Sequence, residues 1–306
     1  MALQLSALRK AGQVTTPEFF QVRISQTPKA FMPVDQELKR LAFARLLRNL
    51  SKLSSNPQPD NIHRSRTYSR RVESLLSLAP KHDGNARRLL KSLKNLRKKA
   101  GRVRDLDVQI AALRGLRISQ APVGKSQLLR ELVEDRARGL RKLEKSFDTE
   151  ATSELRKRLR RAEKDLSIPA DIDPVAEALR LFFKVGRESG ALTEKKLHQY
   201  RIAGKRARYL AELAGNDKQA EFLVGQLKRV QDGIGDWHDW LELTAKAEKH
   251  QNEEENSPLV VALRNINRAK FRQAIQALIE AQNSLPAPAP PRKASSSTPN
   301  VNVAVA

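Results

Sequence analysis

Two short stretches of this 306-residue chain share one pattern, and that pattern decides the fold class. Residues 61–71 read NIHRSRTYSRR, and residues 196–206 read KLHQYRIAGKR. Both fit H-x-x-R-x-x-x-[RK]-R, and the two histidines, His63 and His198, are 135 positions apart. Residues three, four and seven apart share one face of an α-helix. The pattern therefore predicts two helices that each carry a row of cations.

A second pair of matched segments follows the first pair at almost the same offset. GRVRD occupies residues 101–105 and GDWHD occupies residues 235–239, an offset of 134. Two motifs that recur in the same order at one offset indicate an internal duplication. The predicted half-repeats span about 34–166 and 167–284.

The composition favours helices throughout. Hydrophobic residues make up 40% of the chain, aromatic residues 5%, and glycine and proline together 28 of 306 residues. Few aromatic and turn residues are poor material for a β-sandwich or a barrel. Apolar residues recur at helical spacing along most of the chain, and no long segment alternates with period two. The sequence therefore predicts an all-α protein.

The apolar periodicity predicts eleven helices. They span 34–53, 60–79, 84–100, 105–118, 123–147, 149–166, 171–189, 193–214, 217–233, 239–251 and 257–283. Asp60 and Thr193 are predicted N-caps.

Two pairs of matched residues concern helix boundaries. Gly101 and Gly235 are predicted to end helices, because glycine readily adopts the left-handed C-cap conformation. Asp105 and Asp239 are predicted either to start the next helices or to orient nearby cations.

The two ends of the chain differ from its centre. Residues 1–33 contain three prolines without a sustained period, which predicts an irregular N-terminal arm. Residues 285–306 are rich in proline, alanine and serine, which predicts a disordered tail. The segment 34–284 is then the folded domain.

The charge balance restricts the partner. The chain has 58 Lys and Arg against 34 Asp and Glu, a formal net charge of +24. Such a charge favours a polyanion: a nucleic acid, an anionic membrane or a phosphate polymer. The absence of cysteine excludes disulfides and thiolate metal sites. No run of 18 apolar residues and no secretory signal is found, so we expect a cytoplasmic protein.

The repeated helices are predicted to bury one face and present cations on the other. At about 100° per residue, the cationic positions of each copy fall on one side and the apolar positions on the opposite side. The two rows consist of His63, Arg66 and Arg70, and of His198, Arg201, Lys205 and Arg208. In each row the histidine and the basic residue seven positions later are about 10 Å apart, which suits a chain of phosphates. The alternative is an ordinary solvated helix face.

A third basic row supports the binding interpretation. The segment from Gly84 to Arg104, both included, contains nine basic residues and no acidic one. Like charges this close destabilise a helix unless an anion offsets them. Within this segment one face carries Arg87, Lys91, Lys94 and Lys98.

The histidines fit anion binding for a separate reason. Each lies near the start of its helix, where backbone N–H groups and the helix dipole favour an anion. The alternative is that each histidine caps or packs locally.

No metal, cofactor or catalytic site is predicted. The five histidines form no close ligand pair, the sequence lacks the phosphate-binding loop G-x-x-x-x-G-K-[ST], and no acidic cluster is evident. A phosphate binder without a nucleophile or metal ligands is a binding module rather than an enzyme.

On these motifs the chain resembles the CHAD family, the conserved histidine α-helical domain. The H-x-x-R-x-x-x-[RK] helices match its hallmark, and RVRDLDVQ at 102–109 and LKRVQDGIGDWHD at 227–239 resemble its second elements. The segment that runs from His198 to Glu212 is an especially close match. The resemblance covers about residues 34–283.

The resemblance implies two related antiparallel helical bundles about a pseudo-twofold axis, and binding of inorganic polyphosphate, in some members at polyphosphate granules. It also implies a set of ligand contacts. Carried over by position, these are His63, Arg66, Arg70, Arg71, Lys94, Arg104, His198, Arg201, Lys205, Arg208 and Lys228. Tyr209, which lies in the closely matching segment, is a further candidate. This chain departs from the pattern at Glu73, which stands where the second half has Arg208, and at His238, which replaces the more basic Arg104.

Three functions remain open from the sequence. We favour non-catalytic polyphosphate binding. A nucleic-acid-binding helical protein is the alternative, although aromatic stacking platforms and helix-turn-helix spacing are missing. An enzyme acting on phosphate chains would need an acidic cluster that the sequence does not offer.

Overall fold

The computed structural model describes residues 33–79, 84–118, 122–147, 149–186, 192–250 and 257–287. Over these residues the protein contains nine α-helices, one 3₁₀ turn and no strand, which confirms the predicted all-α class. The helices are α1 (Gln36–Ser55), α2 (Pro59–Ser77), α3 (Gly84–Gly115), α4 (Pro122–Glu144), α5 (Thr149–Asp165), α6 (Pro174–Gly186), α7 (Glu194–Ala211), α8 (Lys218–His250) and α9 (Pro258–Ser284). The 3₁₀ turn, Glu212–Ala214, follows α7 directly.

The two helices with the repeated motif begin in different ways. Thr193 caps α7 as predicted, because its Oγ1 accepts a hydrogen bond from the Lys196 amide at 3.3 Å. The prediction for Asp60 was wrong. Gln58 occupies the N-cap of α2 without a side-chain cap bond, and Pro59 is the first helical residue. Proline suits that position because its fixed φ is helical and its missing N–H has no partner there.

The predicted helix ends at Gly101 and Gly235 were also wrong. α3 and α8 run without interruption through these glycines, so Asp105 and Asp239 start no helix. One glycine costs a helix only about 1 kcal/mol relative to alanine. The flanking apolar periodicity outweighs this cost, as the buried side chains of Ala100 and Val103 show on either side of Gly101. Eleven predicted segments therefore become nine helices.

Helices that follow each other in the chain pack together on both sides of the molecule. α1, α2, α3 and α5 surround one part of the core, and α6, α7, α8 and α9 surround another. The motif helices α2 and α7 pack against each other, and α3 also meets α8. Equivalent helices meeting at the centre is the arrangement that a twofold relation would produce. The pseudo-twofold axis and the half-repeat boundaries stay predictions.

The core is continuous across these helices. Its fully buried members include Phe43 of α1, Leu75 of α2, Phe182 of α6 and Trp237 of α8. Complete burial of such a side chain stabilises the fold by about 1.5–3 kcal/mol. The core therefore fixes the apolar faces of α2 and α7, and with them the direction of the opposite, cationic faces.

A second apolar cluster joins the far ends of the two long helices. It contains Leu113 of α3, Leu128 of α4, Leu243 of α8 and Leu259 of α9. Two polar contacts accompany it: Lys246 Nζ donates to Gln109 Oε1 at 2.7 Å, and His250 Nδ1 lies 2.8 Å from Glu131 Oε1. α3 and α8 are thus held together beyond the site described below.

The predicted arm and tail lie almost wholly outside the described residues. One correction is possible at the C-terminus, because Leu285, which was assigned to the tail, is 6% exposed and packs in the main core. Among the described helices, none is long and apolar enough to cross a membrane.

Candidate functional site

The cationic faces of α2 and α7 meet over one cavity of about 290 Å³, here called the central cavity. Seven of the predicted site residues line it: His63, Arg66, Arg70, Arg104, Arg201, Lys205 and Tyr209. These residues come from α2, α3 and α7, so the two predicted rows converge rather than point apart. Residues of α8 form the remaining wall.

A second cavity of about 490 Å³ adjoins the first and is here called the side cavity. The two share Arg70, Arg201, Lys205 and Tyr209 as lining residues. Lys94 of α3 lines the side cavity, as do two basic residues that the sequence analysis did not select, Arg97 and Arg206. The shared cations therefore stand at the junction of the two cavities.

Three of the cations at this junction lack a partner. Within the part of the chain that the structure describes, Arg70, Arg201 and Lys205 make no ion pair within 4.0 Å and no side-chain hydrogen bond. The Nε of Arg201 is buried without a hydrogen-bond acceptor. Buried polar groups normally find a partner, and an exception points to a missing ligand or a store of strain. The group that Arg201 lacks is a hydrogen-bond acceptor.

The crowding of these cations disturbs their ionisation. Burial, followed by the nearby Arg201, Arg70 and Arg66, lowers the pKa of Lys205 to about 6. Burial is also the main cause that lowers the pKa of Arg70 to about 10, and the pKa of Arg201 is lowered for the same reason. Perturbed pKa values cluster at functional sites, and a bound anion would raise these pKa values again.

The two motif histidines occupy unlike surroundings. His63 lines the central cavity, and burial, then Arg104 and Arg66, lower its pKa. His198 does not line either cavity. Its ring stacks on that of His238, with 5.8 Å between centroids, and burial, then His238, lower the pKa of His198. A direct ligand contact is therefore better supported by geometry for His63 than for His198.

Carboxylates line part of the central cavity, which the sequence analysis did not anticipate. Asp105, Asp232, Asp236 and Asp239 all contribute to its wall. Asp105 orients Arg66 at 3.2 Å, so of its two predicted roles the orienting one is right. The same guanidinium donates to the Gly101 carbonyl at 3.0 Å, and a Cβ on Gly101 would lie 3.4 Å from it.

The repeat offset gives a signal for two of these carboxylates. At an offset of 134, Asp232 and Asp236 stand where the first half has Lys98 and Arg102. Asp232 pairs with the predicted site residue Lys228 at 2.8 Å. The second half is therefore more acidic than the first at these matched positions, and Lys228 already has a carboxylate partner.

Arg71 and Arg208 pair with the same carboxylate, that of Glu212, and line neither the central nor the side cavity. Glu212 lies 2.9 Å from the Nε of Arg71 and 3.3 Å from the Nε of Arg208. Both guanidinium groups also lie over the ring of Tyr209, at 6.0 and 4.8 Å from its centroid. Tyr209 is 4% exposed. This cluster, here called the Glu212 cluster, consists of Arg71, Arg208, Tyr209 and Glu212. It links α2 to the end of α7 beside the cavities.

The remaining predicted residues lie on the outer surface of α3. The side chains of Arg87, Lys91 and Lys98 are exposed and line neither cavity, whereas Lys94 reaches the side cavity. Glu73, noted as a departure from the family pattern, pairs with Arg97 at 3.2 Å. Over the described residues, no group of three or more His, Asp or Glu side chains is placed to hold a metal ion.

Comparison with known proteins identifies the family. The sequence model of the CHAD domain matches residues 38–248, and the chain belongs to the CHAD family. That membership associates it with inorganic polyphosphate. A search of curated protein sequences gave no significant match.

Solved structures with the same fold include two proteins of low sequence identity. The first is the CHAD domain from the plant Ricinus communis, which is 19% identical with a TM-score of 0.62 over 84% of this chain and 94% of that one. The second is PptA from Streptomyces chartreusis, which is 17% identical with a TM-score of 0.59 over 82% of this chain and 98% of that one. At these identities the likeness concerns the fold alone.

Proposed function

We propose that this protein binds inorganic polyphosphate without catalysing a reaction, and that the central and side cavities are the binding site. The observation that carries the proposal is the junction of Arg70, Arg201 and Lys205, which lack any anionic partner within the described residues. A phosphate chain would supply charge-assisted hydrogen bonds to each of them.

The form of the site favours a chain over a single small anion. Two cavities share the three cations, and further basic residues lie at each end, His63 and Arg104 in one cavity and Lys94 and Arg97 in the other. A linear polyanion that passes from one cavity to the other would contact both sets. The Glu212 cluster would keep α2 and the end of α7 in fixed positions while the phosphate chain binds.

A competition titration tests this proposal. Labelled long-chain polyphosphate is displaced by unlabelled polyphosphate, duplex DNA or RNA over a series of salt concentrations. We expect polyphosphate to compete best at physiological salt. We also expect log K to fall steeply against log salt, because the basic side chains displace counter-ions that are bound to the polyphosphate. The chain length of the ligand is measured afterwards and should be unchanged. Stronger displacement by a nucleic acid would favour the nucleic-acid alternative, and a flat salt response would contradict multivalent electrostatic binding.

The affinity for polyphosphate should fall as pH rises from about 5.5 to 8. The pKa values of His63 and His198 are lowered in the free protein, and a bound polyanion raises them. The bound form therefore takes up protons, so binding is favoured where protons are available. His63→Gln should reduce this pH dependence more than His198→Gln does, because His63 lines the central cavity and His198 lines neither the central nor the side cavity.

The matched control for the histidine experiment is His250→Gln, since His250 pairs with Glu131 away from both cavities. Some pH dependence should persist in a His63→Gln/His198→Gln double variant, because the pKa of Lys205 is lowered to about 6 and has the same sign of effect. The terminal phosphates of the ligand act in the opposite direction, and long chains dilute that contribution. Identical pH slopes for the wild type and the double variant would show that the histidines are structural.

A further inference from the structure

α5 carries a basic face that the site described above does not use. Four of its exposed residues follow the spacing i, i+3, i+4 and i+7: Lys157, Arg160, Arg161 and Lys164. The opposite face of α5 is buried in the core through Leu159 and Ala162. Within the described parts of the chain, none of the four cations has an ion pair or a side-chain hydrogen bond. The face is therefore exposed and uncompensated.

Two other basic residues of α5, in contrast, have polar partners for their side chains. Arg158 pairs with Glu154 at 2.7 Å, and Arg156 donates to Ser51 Oγ of α1 at 2.8 Å. The four outward cations instead form like-charge pairs at i, i+4, between Lys157 and Arg161 and between Arg160 and Lys164, which destabilise a helix. An external polyanion would offset that repulsion.

The exposed surface of α3 connects this face to the side cavity. Lys94 lines the side cavity and is exposed, and Lys91, Lys98 and Arg88 continue the basic surface around α3. α5 packs beside that surface, where Asn85 Nδ2 donates to the Arg158 carbonyl at 3.3 Å. No acidic residue occurs in α3 before Asp105. A chain that follows the surface halfway round a helix of about 10–12 Å diameter covers about 16–19 Å.

We propose that the exposed faces of α3 and α5 form an outer basic track, which binds the part of a long polyphosphate chain that extends beyond the cavities. This inference rests on the proposed function. It predicts that the protein selects polyphosphate by length, because a short chain fills only the cavities and a long chain gains the track as well. The gain comes from a second set of contacts on the same ligand, which raises affinity through effective concentration.

The path favours a flexible phosphate chain over a duplex. It leaves a cavity of about 490 Å³ and turns around α3 within one helix diameter. Duplex DNA has a persistence length of about 150 bp and does not bend over such a distance without a large deformation energy. Polyphosphate is single-stranded and can follow the turn.

The test compares tripolyphosphate with long-chain polyphosphate on a variant of the track. The variant replaces Lys157, Arg160, Arg161 and Lys164 by glutamine, which forms helices well and removes four positive charges. The control, Arg268→Glu/Arg272→Glu, removes the same net charge from exposed positions of α9. We expect the track variant to bind long chains about tenfold more weakly and tripolyphosphate unchanged, whereas the control keeps the wild-type preference for long chains.

Several outcomes would overturn the track. Unchanged long-chain affinity in the track variant would do so, as would an equal loss in the α9 control, which would make net charge the cause. Loss of binding to duplex DNA or to anionic vesicles, with long-chain polyphosphate unaffected, would assign the face to those partners instead. Failure of the wild type to bind either phosphate ligand would contradict the proposed function itself. The double variant Lys157→Gln/Arg161→Gln gives the same comparison if the fourfold variant has an altered circular dichroism spectrum.

Discussion

Reversal of the charges at Arg201 and Lys205 should abolish polyphosphate binding and leave the protein folded. Both residues stand at the junction of the two cavities and lack a partner among the described residues. Loss of a buried charge contact costs about 2–5 kcal/mol, and a reversed charge repels the ligand as well. We therefore expect Arg201→Glu/Lys205→Glu to weaken binding at least about 1000-fold.

The same double variant should keep its fold, because the two substitutions leave the buried apolar core unchanged. Glutamates at these positions gain ion-pair partners in Arg66 and Arg70, but Asp105 and Asp239, which attract Arg201 in the wild type, repel them. Binding is measured by titration with long-chain polyphosphate, and folding by circular dichroism and thermal unfolding.

The charge-matched control for this experiment is again Arg268→Glu/Arg272→Glu on α9. It changes the formal net charge by the same four units without touching either cavity. Normal polyphosphate binding by a folded Arg201→Glu/Lys205→Glu variant would show that the site is elsewhere. A comparable loss in the control would show that binding depends on total charge rather than on this junction.

The motif helices and their cationic faces could be predicted from the sequence because their information is local. The spacing of His63, Arg66 and Arg70 places them on one side of α2 whatever the rest of the fold does. The apolar residues on the other side, such as Val72 and Leu75, are buried as the pattern requires. The recurrence of the same pattern around His198 predicted a second helix of the same kind.

The failures concern information that is not local. Glycine signals a helix end only if the helix does not gain more by continuing, and the core contacts of Val103 and Leu106 decide that question for Gly101. Arg71 and Arg208 meet through Glu212 only because the end of α7 packs beside α2, which no spacing within one helix reveals.

Helix packing also decides which residues share a cavity. The four aspartates lie on α3 and α8, whereas the cations of the junction lie on α2 and α7. The sequence presents these residues as separate segments, so their charges could not be combined before the helices were placed. Lys205 shows the effect of helix packing on a single residue, because its pKa is lowered by burial and by three arginines from two helices.

Lys205→Met should stabilise the free protein and weaken polyphosphate binding. Lys205 has a pKa of about 6 in the folded protein, against 10.5 for an unperturbed lysine. Between about pH 6 and pH 10 the unfolded state therefore binds more protons than the folded state, so the free energy of unfolding rises with pH through this window. Keeping this amine neutral in the folded protein lowers the free energy of unfolding at pH 7. The loss is up to about 1.4 kcal/mol for each unit by which the unperturbed pKa exceeds 7. Methionine matches the length of lysine without the charge, and at pH 7 we expect a gain on the order of a few kcal/mol.

Binding should respond to the same substitution in a pH-dependent way. A bound phosphate chain stabilises the protonated amine, so wild-type Lys205 contributes about 10–100-fold to affinity near pH 6 and progressively less as pH rises. Lys246→Met is the matched control, because Lys246 also has a pKa lowered mainly by burial but donates to Gln109 outside the cavities. Urea unfolding and polyphosphate titration from about pH 6 to 9 measure both effects. If the slope of unfolding free energy against pH is the same in Lys205→Met as in the wild type, Lys205 is charged in the free protein. If the variant and the wild type bind polyphosphate equally well at pH 6, Lys205 is not part of the binding site.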